Sequence, residues 1–194
     1  MSKQDHPITI PDGINRLLLH ACCAPCSSAI VEWLMAHGIT PTIFYFNPNI
    51  FPREEYEIRK NESKRHADSL GIQWIDADYD HDGWRCAVQG LESEPERGKR
   101  CELCFRHRLL ETAKTAKTLG ITYFATTLAS SRWKNLDQIN AAGAWAAGQA
   151  GDVRFWAQNW RKGGLQQRRN ELLKQYNFYN QRYCGCEFSM PKPD

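Results

Sequence analysis

The sequence predicts an α/β fold in which a mostly parallel sheet is covered by helices on both faces. Short apolar runs rich in β-formers alternate with helical stretches, and Gly38, Gly71 and Gly120 each follow the end of one such stretch. The first apolar run also hands over directly to His20-Ala-Cys-Cys-Ala-Pro-Cys-Ser-Ser28, which holds three thiols in five positions.

Each element can be justified in order. Arg16–Ala21 reads as a buried strand around Leu17, Leu18 and Leu19. Pro25 to His37 reads as a helix, since proline suits a first turn whose N–H groups lack partners, and Gly38 stops it. Thr42–Phe46 is a second strand, Arg53–Leu70 a charged helix stopped by Gly71, and Ile72–Ile75 a short third strand. Residues 78–100 read as a loop because Gly83, Gly90, Pro95 and Gly98 punctuate them. Cys101–Leu119 is a helix, Ile121–Thr126 a fourth strand, Leu136–Gln149 an alanine-rich helix and Val153–Trp156 a fifth strand. Leu165–Tyr176 is the last helix before an irregular tail. The alternation implies a doubly wound, three-layer sandwich of the Rossmann-like or HUP-like kind. One catalytic domain over 16–194 is expected, preceded by an N-terminal tail over 1–15. Ligands of such sheets bind beyond the carboxyl ends of the strands, so residues 22–28, 47–52, 127–135 and 157–164 should share one rim, with the metal site among them.

The 194 residues are 42% hydrophobic, enough for a packed core. No apolar run is long enough for a membrane span, and the polar start lacks the centre of a signal peptide, so a cytoplasmic location is expected. In a reducing compartment, eight cysteines point to metal or redox chemistry rather than structural disulfides. Charge is uneven: residues 1–84 carry 7 Lys+Arg against 12 Asp+Glu, and residues 85–194 carry 18 against 10. A basic half suits a polyanionic partner.

The cysteines fall into local groups: Cys22, Cys23 and Cys26; Cys101 and Cys104; Cys184 and Cys186; and Cys86 alone. Thiolates must converge at about 2.3 Å to hold a metal, and a C-x2-C spacing lets two sulfurs of one turn do so. Structural zinc, an iron–sulfur cluster and a redox dithiol all fit the first two groups. Adjacent Cys22 and Cys23, with Cys26 as a further thiol, suit a larger cluster better than one tetrahedral ion. Cys184-Gly-Cys186 can chelate or close a strained, readily reduced disulfide ring, with Gly185 permitting the unusual backbone. Cys86 is expected to be a small buried hydrophobe and His20 a packed residue.

Other polar residues fall on the expected rim. Asn47 and Asn49 follow the second strand, and Tyr56 and Arg59 share a face of the next helix. Thr126, Thr127, Ser130, Ser131, Arg132, Lys134 and Asn135 follow the fourth strand and suit a phosphate or ribose diol. Arg161, Lys162, Arg168 and Arg169 lie near Trp156 and Trp160, a mixture suited to unpaired bases and their phosphates. Arg132, Lys134, Arg161 and Lys162 are the candidate nucleic-acid contacts.

Six stretches, "LLLHACCAPCSS", "FYFNPNIFPREEYEIR", "GKRCELCFRHRLLETA", "FATTLASSRWKN", "NWRKGG" and "YNQRYCGCEFS", span residues 17–189 and together resemble the QueH family, the cobalamin-independent epoxyqueuosine reductases of tRNA queuosine modification. The resemblance implies reduction of the wobble-position epoxide to the alkene of queuosine. It implies a [4Fe–4S] cluster on Cys22, Cys23, Cys101 and Cys104, and a redox-active pair, Cys184 and Cys186. The third position of the first motif is Cys or Asp in the family, so Cys26 becomes a candidate catalytic ligand for one additional iron. The chain has no G-x-G-x-x-G stretch, so electrons should come from an external low-potential donor. The competing reading is a zinc-stabilised tRNA-binding module without redox catalysis, which leaves "YCGC" unexplained.

Overall fold

The computed structural model describes residues 8–190. Its strands are β1 (Arg16–His20), β2 (Thr40–Tyr45), β3 (Trp74–Asp76), β4 (Tyr123–Thr126) and β5 (Arg154–Phe155). The helices are α1 (Ala24–Ala36), α2 (Arg53–Ser69), α3 (His81–Ala87), α4 (Lys99–Thr118), α5 (Leu136–Ala150) and α6 (Leu165–Gln175). All five strands are parallel, in the order β3-β2-β1-β4-β5. This is the doubly wound α/β architecture the sequence predicts. Helix α1 packs with α2 and α6, and α4 packs with α5.

Strand β1 is central, so both its faces are covered, and Leu17, Leu18 and Leu19 are all fully buried. The chain leaves β1 toward β2 and enters β4 on the other side, so a crevice opens beyond the carboxyl ends of β1 and β4. That crevice holds the first cysteine motif. No helix among the described residues is long and apolar enough to cross a membrane.

Three expectations are corrected. The loop expected over 78–100 contains α3, whose Asp80 caps the first turn by accepting the Gly83 N–H at 2.9 Å. Gly83 hides this helix in the sequence, while fully buried Trp84 anchors it. Cys86, expected to be buried, lies exposed on α3, because Trp84 takes the inward face. Residues 157–164 do not line the crevice; the C-terminal segment does, because the Phe51 N–H donates to the Gly185 carbonyl at 2.8 Å and Ile50 bridges Cys186. Of the tail expected over 1–15, residues 1–7 lie outside the described residues. Ile8 and Ile10 pack on the core, and the Thr9 carbonyl accepts from Trp156 Nε1 at 3.2 Å.

Candidate metal centre and active site

The site begins at the end of β1. His20 is fully buried, with Nε2 3.0 Å from the Phe46 carbonyl and Nδ1 2.8 Å from Thr126 Oγ1. A carbonyl only accepts, so Nε2 carries the hydrogen and Nδ1 accepts from the threonine hydroxyl. Burial pushes the imidazole down to about 3, so it stays neutral. His20 therefore joins the ends of β1, β2 and β4 and is the packed residue expected. Asn47, fully buried, donates to the Ala21 carbonyl at 2.9 Å and accepts from Arg108 Nη2 at 2.5 Å. These bonds fix the backbone just before the thiols.

The Sγ atoms of Cys22, Cys23 and Cys26 all lie within 4.8 Å of one another, and those of Cys22 and Cys23 are 3.8 Å apart. Cys23 is the residue before α1, and Cys26 lies in the helix's first turn. The Cys22 thiol is held well below its usual range by hydrogen bonds from Cys23 and then Cys26. Burial keeps Cys23 protonated, and the bond to Cys22 pushes Cys26 up to about 12. The Thr127 hydroxyl donates to Cys22 Sγ at 3.5 Å, and Gln181 Nε2 donates to Cys23 Sγ at 2.9 Å.

Around this triad is a cleft of about 680 Å³. Its lining includes Cys22 and Cys26 from the first motif, Cys101 and Cys104 from the first turns of α4, and Cys184 and Cys186 from the C-terminal segment. Cys104 and Cys186 belong to one apolar cluster with Trp84 and Val88, against which Cys184 also packs. Cys101 Sγ accepts from the Arg97 N–H at 3.3 Å. The Cys184 thiol is pushed down to about 5, chiefly by a hydrogen bond from Cys186, whose own thiol is held far above its usual range by the same bond. Arg59 anchors this segment through the Cys184 carbonyl at 3.3 Å and the Tyr183 carbonyl at 3.1 Å, while Glu55 Oε1 holds its Nη2 at 2.6 Å. Gly185 has a φ of +102°, a conformation that side chains rarely adopt.

Eight cations line the cleft, Arg59, Arg97, Arg100, Arg108, Arg132, Lys134, Arg169 and Arg182, against the single acid Glu96. Arg108 is 2% exposed, and its recorded partner is the neutral Asn47, not a carboxylate. A buried cation without an acid needs an anion nearby, and the Cys22 thiolate is in place to serve.

The sequence-predicted residues divide on this geometry. Arg132, Lys134, Asn49, Ser130, Ser131 and Asn135 face the cleft. Arg161 and Lys162 do not line it: Arg161 Nη2 donates to the Ser131 and Lys134 carbonyls at 2.6 and 2.8 Å, holding the loop between them. Trp156 and Trp160 are buried against each other at 5.1 Å. Tyr56 is a core residue, whereas Arg59 reaches the site. Arg168 is paired with Glu32 and Glu171. Gln181, Arg108 and Trp133 are site residues that spacing did not single out; the cation four residues beyond Cys104 and the Trp between two cations were the available signals.

The donor set fits a thiolate-bound metal group. For one tetrahedral ion with bonds near 2.3 Å, ligand sulfurs stand about 3.8 Å apart, the Cys22–Cys23 separation. Six cleft-lining cysteines exceed what one such ion takes, which suits a multinuclear centre or a metal beside a dithiol.

Residues 17–192 match the family described as "Epoxyqueuosine reductase QueH". A protein of Histophilus somni named epoxyqueuosine reductase QueH is 49% identical over 183 residues, covering 94% of this chain and 75% of its own. One of the same name from Acinetobacter baylyi is 46% identical over 190 residues, covering 98% and 87%. Another from Thermotoga maritima is 35% identical over 180 residues, covering 91% of each chain.

Proposed function

The chain belongs to the epoxyqueuosine reductase QueH family, and from that premise we propose that it reduces the epoxide of epoxyqueuosine, at the wobble position of tRNA, to the alkene of queuosine. The observation that carries the reading is the meeting of six motif cysteines in one cation-lined cleft. The reaction takes up two electrons and two protons and releases the epoxide oxygen as water. A protein dithiol supplies that pair in balance: Cys184 and Cys186 become a disulfide, and an external low-potential donor then returns them to thiols. With Cys184 already a thiolate, Cys186 supplies one proton and water the other.

Cys22, Cys23, Cys101 and Cys104 are the residues to hold a [4Fe–4S] cluster, with Cys26 available to one additional iron. Such a centre supplies single electrons and Lewis acidity toward a departing oxygen. The chain's own part is to fix and enclose the site. His20 and Asn47 set the backbone that carries Cys22 and Cys23. Arg108 balances thiolate charge without the long reach of a surface cation. Gln181 closes over the triad, and Arg59 aims the Cys184 segment at the cleft. Asn49, 2% exposed with Oδ1 unpartnered, offers an acceptor to a substrate hydroxyl. Arg132 and Lys134 suit the phosphates of an RNA loop.

The test is anaerobic incubation of iron-reconstituted protein with epoxyqueuosine-containing tRNA and a low-potential reductant, followed by nucleoside analysis. Conversion to queuosine that requires iron is expected. A protein that binds only zinc and leaves epoxyqueuosine unchanged would overturn the assignment in favour of a binding module.

A further inference from the structure

Trp133 breaks the pattern of the described tryptophans. Trp84, Trp156 and Trp160 are buried, and Trp33, Trp74 and Trp145 are half-buried, whereas Trp133 is 65% exposed. Its recorded ring contact is the Arg132 guanidinium, 4.7 Å from the ring centroid. Burial therefore gives no reason for so large a ring at this position.

The backbone beneath the ring is nevertheless held from several directions. The Trp133 carbonyl accepts from Arg97 Nε at 2.8 Å, and its N–H donates to Ser131 Oγ at 3.4 Å. Arg161 ties the Ser131 and Lys134 carbonyls on either side. Gln138 Nε2 in turn holds the Arg97 carbonyl at 2.7 Å. An exposed aromatic on a fixed base is a preorganised surface, not a mobile loop tip.

Position supplies the partner. Trp133 is part of the lining of the cysteine cleft, between Arg132 and Lys134, where cations outnumber acids eight to one. A cavity of about 680 Å³ is of the size that takes one small-molecule-sized group. A nucleoside filling it leaves its chain neighbours outside, at the mouth. An unpaired base has a π-face for an aromatic ring, and its phosphate has a charge for the flanking cations.

We propose that Trp133 is a stacking platform for an unpaired RNA base next in sequence to the nucleoside that enters the cleft, sandwiching its own ring between that base and Arg132. This rests on the RNA substrate proposed above. It assigns the selection of an opened loop, rather than a duplex, to one side chain: a paired and stacked base has no free face to offer.

The probe is a synthetic anticodon stem-loop carrying 2-aminopurine beside the wobble position, titrated into reconstituted protein under anaerobic conditions at several salt concentrations. Wild type should bind it with salt-dependent affinity and quench the fluorophore. Trp133→Ala should weaken binding by roughly 5- to 150-fold and abolish the quench, the span expected for one lost stacking contact. The slope of log Kd against log salt should not change, because no phosphate contact is removed. Trp133→Phe should restore most of the affinity and Trp133→Leu should not. Unchanged affinity in Trp133→Ala, rescue by leucine equal to that by phenylalanine, or a loss accompanied by a shallower salt slope would each overturn the platform. In those cases wild-type binding leaves the RNA reading standing. If wild type itself shows no salt-dependent binding of the hairpin, the RNA reading fails and the platform with it.

Discussion

Replacing Gly185 by alanine should disable the Cys184–Cys186 segment without touching either sulfur. The magnitude has two parts. Gly185 sits at φ +102°, and a residue with a side chain held in so sparse a region costs about 1–3 kcal/mol. The added Cβ would stand 2.8 Å from Ile50 Cγ1 and 3.2 Å from Arg59 Nη1. Ile50 is 1% exposed and cannot swing away, so overpacking adds about another 1–3 kcal/mol. The sum, about 2–6 kcal/mol, is a large part of the about 5–15 kcal/mol that stabilises an ordinary domain. The protein can meet it by losing global stability or by releasing the segment from Phe51 and Ile50. Urea unfolding of the reduced protein reads the first route. Alkylation of Cys186, now 7% exposed, reads the second. A double-mutant cycle with Ile50→Ala separates the two costs, since it relieves the overlap and leaves the φ strain. An unchanged unfolding midpoint together with unchanged protection of Cys186 would refute the reasoning.

Three further outcomes follow from the site. Iodoacetamide should modify Cys184 nearly as fast at pH 6 as at pH 8, because its thiol is held down to about 5 and its thiolate is lost only as pH falls toward that value; an ordinary thiol slows by about two orders of magnitude over that interval, and Cys186→Ala, which removes the donor, should give Cys184 that ordinary profile in peptide mapping. Cys101→Ala should strip most of the iron and broad visible absorbance from reconstituted protein, and full retention of iron would remove Cys101 from the ligands. Arg161→Met should weaken RNA binding without changing its salt slope, because Arg161 Nη2 alone holds both the Ser131 and the Lys134 carbonyl, each such bond contributing about 1.5–3 kcal/mol; a shallower salt slope in the methionine variant would make Arg161 a phosphate contact instead.

What the sequence determined by itself is what depends on neighbours in the chain. The alternation of strand and helix, the stops at Gly38, Gly71 and Gly120, and the place of the thiols after β1 are set by local periodicity and backbone freedom. The rule that ligands of such sheets bind beyond the carboxyl ends of the strands put Cys22 on the rim, whereas the strand order β3-β2-β1-β4-β5 came only with the fold. Gly83 misled the reading locally, since a helix of seven residues gives too little pattern to outweigh a breaker. The tertiary structure alone decided the rest, because it depends on contacts between residues far apart in sequence. Nothing in the spacing of "YCGC" says that Gly185 packs on Ile50, or that Gln181 reaches Cys23 across 158 positions. Arg161 and Arg132 are equally basic letters; one is turned inward onto carbonyls and the other lines the cleft. Trp156 and Trp133 are likewise the same letter. The first closes the core and the second stands in solvent, because burial is settled by which surfaces meet when the sheet and its helices pack.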